Sequence, residues 1–258
     1  MTRHRFFIGK DQIRKEKVFL TGAQARQVHQ VLRLRAGDKI FVLNNEGWEF
    51  EVALQDTRPD QVSGRITQSW LVGSEPRVHL TLFQSNLKKD HFEWILQKGT
   101  ELGVAAFVPM ISERTVVRQT TLKKNKLARW QRIINEAAEQ SGRGLLPELA
   151  QPVEFAAALE AARNSHLAMI PWTGEKANRV ATAVAGSRRE NGHLPRRIAL
   201  ILGPEGGFSE AEIGAAQAAD IIPITLGPRI LRAETAAIVA STLAFNELGE
   251  LQLAEDES

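Results

Sequence analysis

Ile198-Ala199-Leu200-Ile201-Leu202-Gly203-Pro204-Glu205-Gly206-Gly207-Phe208-Ser209-Glu210 decides the fold, together with a second stretch one helix and one strand later. That second stretch is Ile224-Thr225-Leu226-Gly227-Pro228-Arg229-Ile230-Leu231-Arg232-Ala233-Glu234-Thr235-Ala236. Each reads as an apolar strand that breaks at Gly-Pro and turns into a helix. In an open parallel sheet, ligands sit beyond the carboxyl ends of the strands, where Gly203 and Gly227 both stand. Glycine lets a ligand approach the backbone closely. Proline stiffens the turn and has no N–H to donate. Ser209 can cap the following helix, with Glu212 as its capping-box partner. Two such turns can wall one pocket with backbone; the alternative is two well-made strand–helix turns with no ligand.

The kind of ligand is narrowed by what is missing. No Gly-Lys-Ser/Thr follows either turn, so neither is a phosphate loop, and the glycine spacing is not that of the dinucleotide fingerprint. A group held by backbone amides and carbonyls, with no lysine on phosphate, fits an adenosine-type ligand without a polyphosphate.

Outward from the turns, strands alternate with helices from residue 77 onward. Strands are expected at 78–85, 104–111, 167–171, 198–202 and 221–226. Helices are expected at 88–102, 123–140, 153–162, 175–185, 209–219 and 234–248. This alternation predicts an α/β fold with a largely parallel sheet covered on both faces. In the helix at 88–102, Phe92, Ile95, Leu96, Gly99 and Leu102 share one face. Gly99 costs roughly 1 kcal/mol against alanine there, so close packing is the expected reason for it. The first 70 residues read differently. A helix capped by Thr21 runs through 24–32, and short strands at 39–43, 48–54 and 62–69 suggest a small barrel. Gly73-Ser74-Glu75-Pro76 reads as a linker. The expected organisation is therefore a β-barrel domain over 1–73, an α/β domain over 77–250 and an acidic tail over 251–258.

Composition bounds the function. The 258 residues are 43% hydrophobic and 24% charged, ordinary for a soluble globular protein. No apolar run is long enough to span a membrane, and residues 1–7 do not read as a secretory signal. The absence of cysteine excludes disulfides, thiolate catalysis and Cys-ligated zinc, and is compatible with a reducing, cytoplasmic setting. The six histidines show no metal-ligand spacing, so no metal is expected. Residues 1–75 carry a net +3, residues 76–150 a net +5 and residues 151–258 a net −5. A basic front and middle suit a polyanionic partner; solvated helix faces are the plainer explanation.

The paired turns resemble those of the trefoil-knotted (SPOUT) RNA methyltransferases that use S-adenosylmethionine, and are more narrowly similar to the small-subunit (16S) ribosomal RNA uridine N3-methyltransferase family. Gln97-Lys98-Gly99-Thr100-Glu101-Leu102-Gly103-Val104 with Pro109 and Ser112-Glu113-Arg114, Glu136-Ala137-Ala138-Glu139-Gln140-Ser141-Gly142-Arg143, and His29-Gln30-Val31-Leu32-Arg33 with Gly37-Asp38 agree with that family. The likeness covers nearly the whole chain. It implies a deep knot in the C-terminal domain, which general topology rules would argue against, and a PUA-like N-terminal barrel. It also implies a homodimer packed through the knot region, each site being finished by the partner. Carried over residue by residue, S-adenosylmethionine would touch Leu202, Gly203, Glu205, Gly206, Leu226, Gly227, Ile230, Leu231 and Arg232.

A uracil ring nitrogen that carries a proton is a poor nucleophile. Methylating it requires removal of that proton, or stabilisation of the negative charge left on the ring, with in-line placement against the methyl group. Arg232 is the candidate for the charge role, because its donors are fixed and it stays protonated. Glu234 is the candidate for positioning Arg232 or assisting proton removal; as an acid in a first helical turn it also suits the helix dipole alone. For 16S ribosomal RNA in the small subunit, the candidate contacts are Arg3, Arg5, Arg33, Arg35, Lys88, Lys89, Arg114, Lys123 and Lys124. Lys126, Arg129 and Arg132 lie on the same helix face as the last two. Such cations give salt-dependent backbone binding with little sequence choice. The alternatives are a ribose 2′-O-methyltransferase of the same knotted class and a non-catalytic RNA-binding assembly factor.

Overall fold

The computed structural model describes residues 3–252, so most of the expected acidic tail, from 253 onward, lies outside the described residues. Two compact units emerge, and they divide the chain differently from the linear cut expected. The first combines Met1–Glu75 with Asn135–Leu146; the second combines Pro76–Ile134 with Pro147–Ser258.

The first unit holds β1 (Arg5–Phe7), β2 (Ile13–Arg14), β3 (Lys17–Thr21), α1 (Gly22–Arg26), β4 (Lys39–Leu43), β5 (Trp48–Thr57) and β6 (Gln61–Leu71). Its six strands run in the order β1-β4-β5-β6-β3-β2, antiparallel except for β1 beside β4. In a flat sheet β1 and β2 would stand about 24 Å apart, at ~4.8 Å per strand. The chain from Phe7 to Ile13 could reach only about 21 Å fully extended, and Lys10–Gln12 is wound into a 3-10 turn. The sheet therefore curls, helped by register shifts in β5 at Glu51/Val52 and Leu54/Asp56. Phe6, Leu20, Ile40, Val42 and Val52 fill its interior with Ala25 and Val28. The helix expected over 24–32 is instead α1 followed by a wider π turn at Gln27–Val31, and Thr21 makes no side-chain cap. Arg33, in the left-handed region at φ 55°, ends it.

Glu139 belongs to this unit and accepts the Phe7 N–H at 2.9 Å. Burial pushes its carboxyl up to about 7, the Phe7 N–H opposes that, and the Glu136 charge adds to it. Between pH 4.5 and 7 the folded chain keeps a proton that the unfolded chain has released. The stability contributed by the protonated form is thus complete below the unfolded value and is lost as pH rises to about 7. Glu139→Gln keeps the acceptor and removes the titration. At pH 8 the variant should be more stable than the parent by about 1–2 kcal/mol, allowing for partial exposure, with the gap closing near pH 4.5. Thermal melts across that range check this; parallel curves would refute it.

The second unit holds β7 (His79–Ser85), α2 (His91–Leu102), β8 (Ala106–Ile111), the first part of α3 (Lys124–Ser141), β9 (Glu148–Leu149), β10 (Val153–Glu154), α4 (Phe155–Ala162), β11 (Leu167–Pro171), α5 (Val180–Asn191), β12 (Arg197–Leu202), α6 (Glu210–Ala218), β13 (Ile222–Ile224) and α7 (Ala233–Glu247). All its strand pairs are parallel, in the order β10-β8-β7-β12-β11-β13, with β9 also on β8. Central β12 shows why its sequence is apolar without a break. Ile198, Leu200 and Leu202 face a core shared with Phe92, Ile95, Trp130, Val180 and Phe245. Ala199 and Ile201 face the other core, with Leu159, Phe208 and Ile213. Helices therefore cover both faces, as the alternation predicts. Gly99 is explained by close approach: a Cβ there would lie 2.7 Å from the Phe107 ring. Among the described residues no helix is long and apolar enough to cross a membrane.

Three helix starts in this unit differ from expectation by two residues or more. α4 begins at Phe155 and not at residue 153, because Val153 and Glu154 pair with β8 as β10. α2 begins at His91 and not at residue 88, because Lys89 sits in the left-handed region at φ 55°. α5 begins at Val180 and not at residue 175. Glu175 Oε1 accepts the N–H groups of Lys176, Ala177 and Asn178, closing a turn that competes with the helix.

Candidate functional site

At the carboxyl ends of β12, β13 and β11 the second unit opens a cavity of about 620 Å³, within the range of small-molecule sites. The first Gly-Pro turn contributes Leu202 to Phe208 and the second Leu226, Gly227 and Arg229 to Glu234. Pro171, the last residue of β11, and Trp172 and Thr173 after it form a third wall. All nine residues expected at the cofactor line this one space, as do Glu234 and Arg114.

The first turn is fixed from three directions. Gln84, fully buried at the end of β7, donates Nε2 to the Gly203 carbonyl at 3.1 Å. The Lys88 N–H donates to Glu205 Oε1 at 3.0 Å, and Arg114 Nη1 donates to the Gly206 carbonyl at 3.0 Å. Ser209 and Glu212 form the expected capping box: Glu212 N–H donates to Ser209 Oγ, and Ser209 N–H donates to Glu212 Oε2 at 2.9 Å. The same pair ties down the loop after β8. Ser209 Oγ donates to Glu113 Oε2 at 2.7 Å, and Glu113 N–H donates to Glu212 Oε1 at 2.8 Å. A turn held this way presents its backbone to a ligand without first having to order itself.

The second turn is held at its root and open at its tip. Thr225 N–H donates to the Asn178 carbonyl at 2.7 Å, and Gly227 N–H donates to Thr225 Oγ1 at 3.2 Å. Gly227 has φ 107°, a backbone that side chains rarely adopt. Ile230 is 89% exposed at the cavity edge. Arg232 is the N-cap residue of α7, exposed, and among the described residues its guanidinium has no ion-pair partner. Glu234 does not pair with it. Glu234 Oε1 lies 2.9 Å from Nδ1 of His91, the first residue of α2, and His91 also lines the cavity. Sequence reasoning missed His91 and the Trp172 wall. Neither belongs to a local motif; sheet order and the packing of α2 on α7 bring them to the turns.

The expected RNA contacts fall into two groups. Arg33, Arg35, Lys88, Lys89, Lys123 and Lys124 are exposed. Arg3 is exposed with its guanidinium 5.1 Å from the Phe41 ring centre. Arg5 is engaged: its Nε donates to Glu49 at 2.7 Å, and Trp70 Nε1 donates to the other oxygen of that buried carboxylate. Arg114 is engaged with the first turn. Lys88 and Lys89 both precede α2 and lie outside the helix expected to begin at residue 88. On α3, Lys126 Nζ lies 4.5 Å from the Trp130 ring, where burial lowers its pKa, and Arg129 pairs with Glu93 at 2.7 Å.

Comparison with known proteins gives a consistent picture. Residues 74–244 match the family described as RNA methyltransferase domain. The chain is 37% identical over 238 residues to ribosomal RNA small subunit methyltransferase E of Synechocystis sp., covering 92% of this chain and 75% of that protein. Against the Bacillus subtilis protein of the same name it is 33% identical, covering 93% and 94%. Among solved structures, a Legionella pneumophila methyltransferase with bound SAM superposes with a TM-score of 0.82 at 32% identity, covering 95% of this chain and 98% of that one. Ribosomal RNA small subunit methyltransferase E from Neisseria gonorrhoeae, bound to S-adenosyl methionine, gives 0.82 at 29% identity over the same shares.

Proposed function

The chain belongs to the ribosomal RNA small subunit methyltransferase E family, and from that premise we propose that it transfers a methyl group from S-adenosylmethionine to N3 of one uridine in 16S ribosomal RNA. The observation that carries the reading is the single cavity walled by both Gly-Pro turns, with an uncommitted arginine at its rim. The cofactor is S-adenosylmethionine. Backbone from Leu202 to Gly206 and from Leu226 to Leu231 would hold its adenosine, and no lysine on phosphate is needed. Bound there, it supplies an electrophilic methyl group. Arg232 stabilises the negative charge that develops on the uracil ring.

The rest of the proposal concerns how RNA is presented. The curled six-stranded sheet of the first unit serves as a PUA-like RNA-binding domain, with Arg3, Arg33 and Arg35 on phosphate; Lys88, Lys89, Lys123 and Lys124 extend that role in the second unit. The second unit is of the knotted SPOUT class, and two chains pair through the knot region in the cytoplasm. Leu243, 37% exposed on α7 beside the partly exposed Ile238 and Val239, supports such pairing. The target base must leave its stack to meet the methyl group.

Calorimetric titration with S-adenosylmethionine, followed by transfer of labelled methyl to small subunits lacking the modification, tests the reading. Cofactor binding and label in 16S RNA are expected. No binding, or binding without transfer, would leave an RNA-binding assembly factor instead.

A further inference from the structure

We propose that His91 is the general base that takes the N3 proton of the target uridine, with Glu234 as its positioning partner. This rests on the reading of the reaction as methylation at uridine N3. Nδ1 of His91 lies 2.9 Å from Glu234 Oε1, and the Glu234 side chain is 14% exposed against 36% for the histidine. Both residues line the cavity that holds Arg232. Nε2 of His91 has no hydrogen-bond partner among the described residues. A carboxylate on one ring nitrogen fixes the tautomer, makes the other nitrogen the acceptor and steadies the imidazolium that forms. Glu234 contributes through the histidine, while Arg232 remains free to meet the uracil oxygens.

The step balances as follows. The imide N–H proton passes to His91 Nε2. The electron pair left on N3 forms the new bond to the methyl carbon. The C–S bonding pair stays on sulfur, so the sulfonium becomes a neutral thioether and the positive charge ends on the imidazolium. That proton goes to water once the product leaves. The charged groups that line the cavity with His91 are Glu234 and Arg232 from α7 and its cap, Arg229 from the second turn, Glu205 from the first and Arg114 from the loop after β8; Lys88, Lys89 and Asp90 precede His91 in the chain, and Arg129 of α3 lies 3.6 Å from Asp90.

The experiment is single-turnover methyl transfer to small subunits lacking the modification, from pH 5.5 to 8.5, with the methylated nucleoside identified. The proteins are wild type, His91→Gln and His91→Ala. Glutamine can still donate to Glu234 but cannot accept a proton at neutral pH. Both variants should react about 100-fold more slowly or worse, lose the acid limb of the profile, and bind S-adenosylmethionine within about threefold of wild type. Added imidazole should partly restore His91→Ala. A His91→Gln rate within about threefold of wild type, with the same pH profile, overturns the proposal and leaves His91 an anchor for Glu234. Should the variants fail to fold, NMR titration of His91 in the wild-type cofactor complex decides: its midpoint should match the acid limb of the rate, and a separation above about one pH unit overturns the role. Methyl recovered on ribose in the wild type would instead overturn the reading of the reaction itself.

Discussion

Arg232→Ala should reduce methyl transfer to small-subunit RNA by about 100- to 1,000-fold, the usual cost of removing one donor aimed at developing charge. Two features of the site lead to that figure. Arg232 caps α7 through its backbone, with no side-chain bond in the cap, so truncation leaves the helix start intact. Its guanidinium also has no ion-pair partner among the described residues, so its removal strands no buried carboxylate. The loss should therefore fall on the rate, with thermal stability nearly unchanged. Arg232→Lys should recover only part of it, because a point charge does not replace a planar fork of donors. Full turnover by Arg232→Ala would refute the role.

Gly227→Val should weaken S-adenosylmethionine binding by about 30-fold. A β-branched residue at φ 107° carries strain of about 2 kcal/mol, and each 1.4 kcal/mol or so corresponds to a factor of ten in affinity. No atom stands within 4 Å of the new Cβ, so the loss comes from backbone strain and not from a clash. The turn relieves that strain by moving the amides and carbonyls that face the cavity. It is exposed, so the melting temperature should change little. Calorimetry on the folded variant measures this; wild-type affinity would show that the turn's conformation does not matter to the ligand.

Local chemistry was the legible part of this molecule. An unbroken apolar run at 198–202 signals a strand buried on both faces, and β12 is one. Ser209 and Glu212 signal a capping box because both partners lie within one helical turn. The two Gly-Pro turns could be read as pocket walls because each carries its own break. What escaped depends on packing between distant segments. His91 meets Glu234 only because α2 and α7 lie side by side. Lys89 takes a left-handed conformation that no neighbouring residue announces. Glu175 captures three N–H groups and delays α5, a competition that helical periodicity cannot register. Arg5 resembled a surface cation until the fold buried Glu49 beside it. The helix over 124–141 reads as one amphipathic element, yet its last residues group with the first unit.

The most direct measurement is identification of the methylated nucleoside. Small subunits lacking the modification are incubated with the protein and labelled S-adenosylmethionine, and the 16S RNA is digested and resolved by mass spectrometry. Label in 3-methyluridine at a single position is the expected result. Label on a ribose 2′-oxygen or on another base would contradict it.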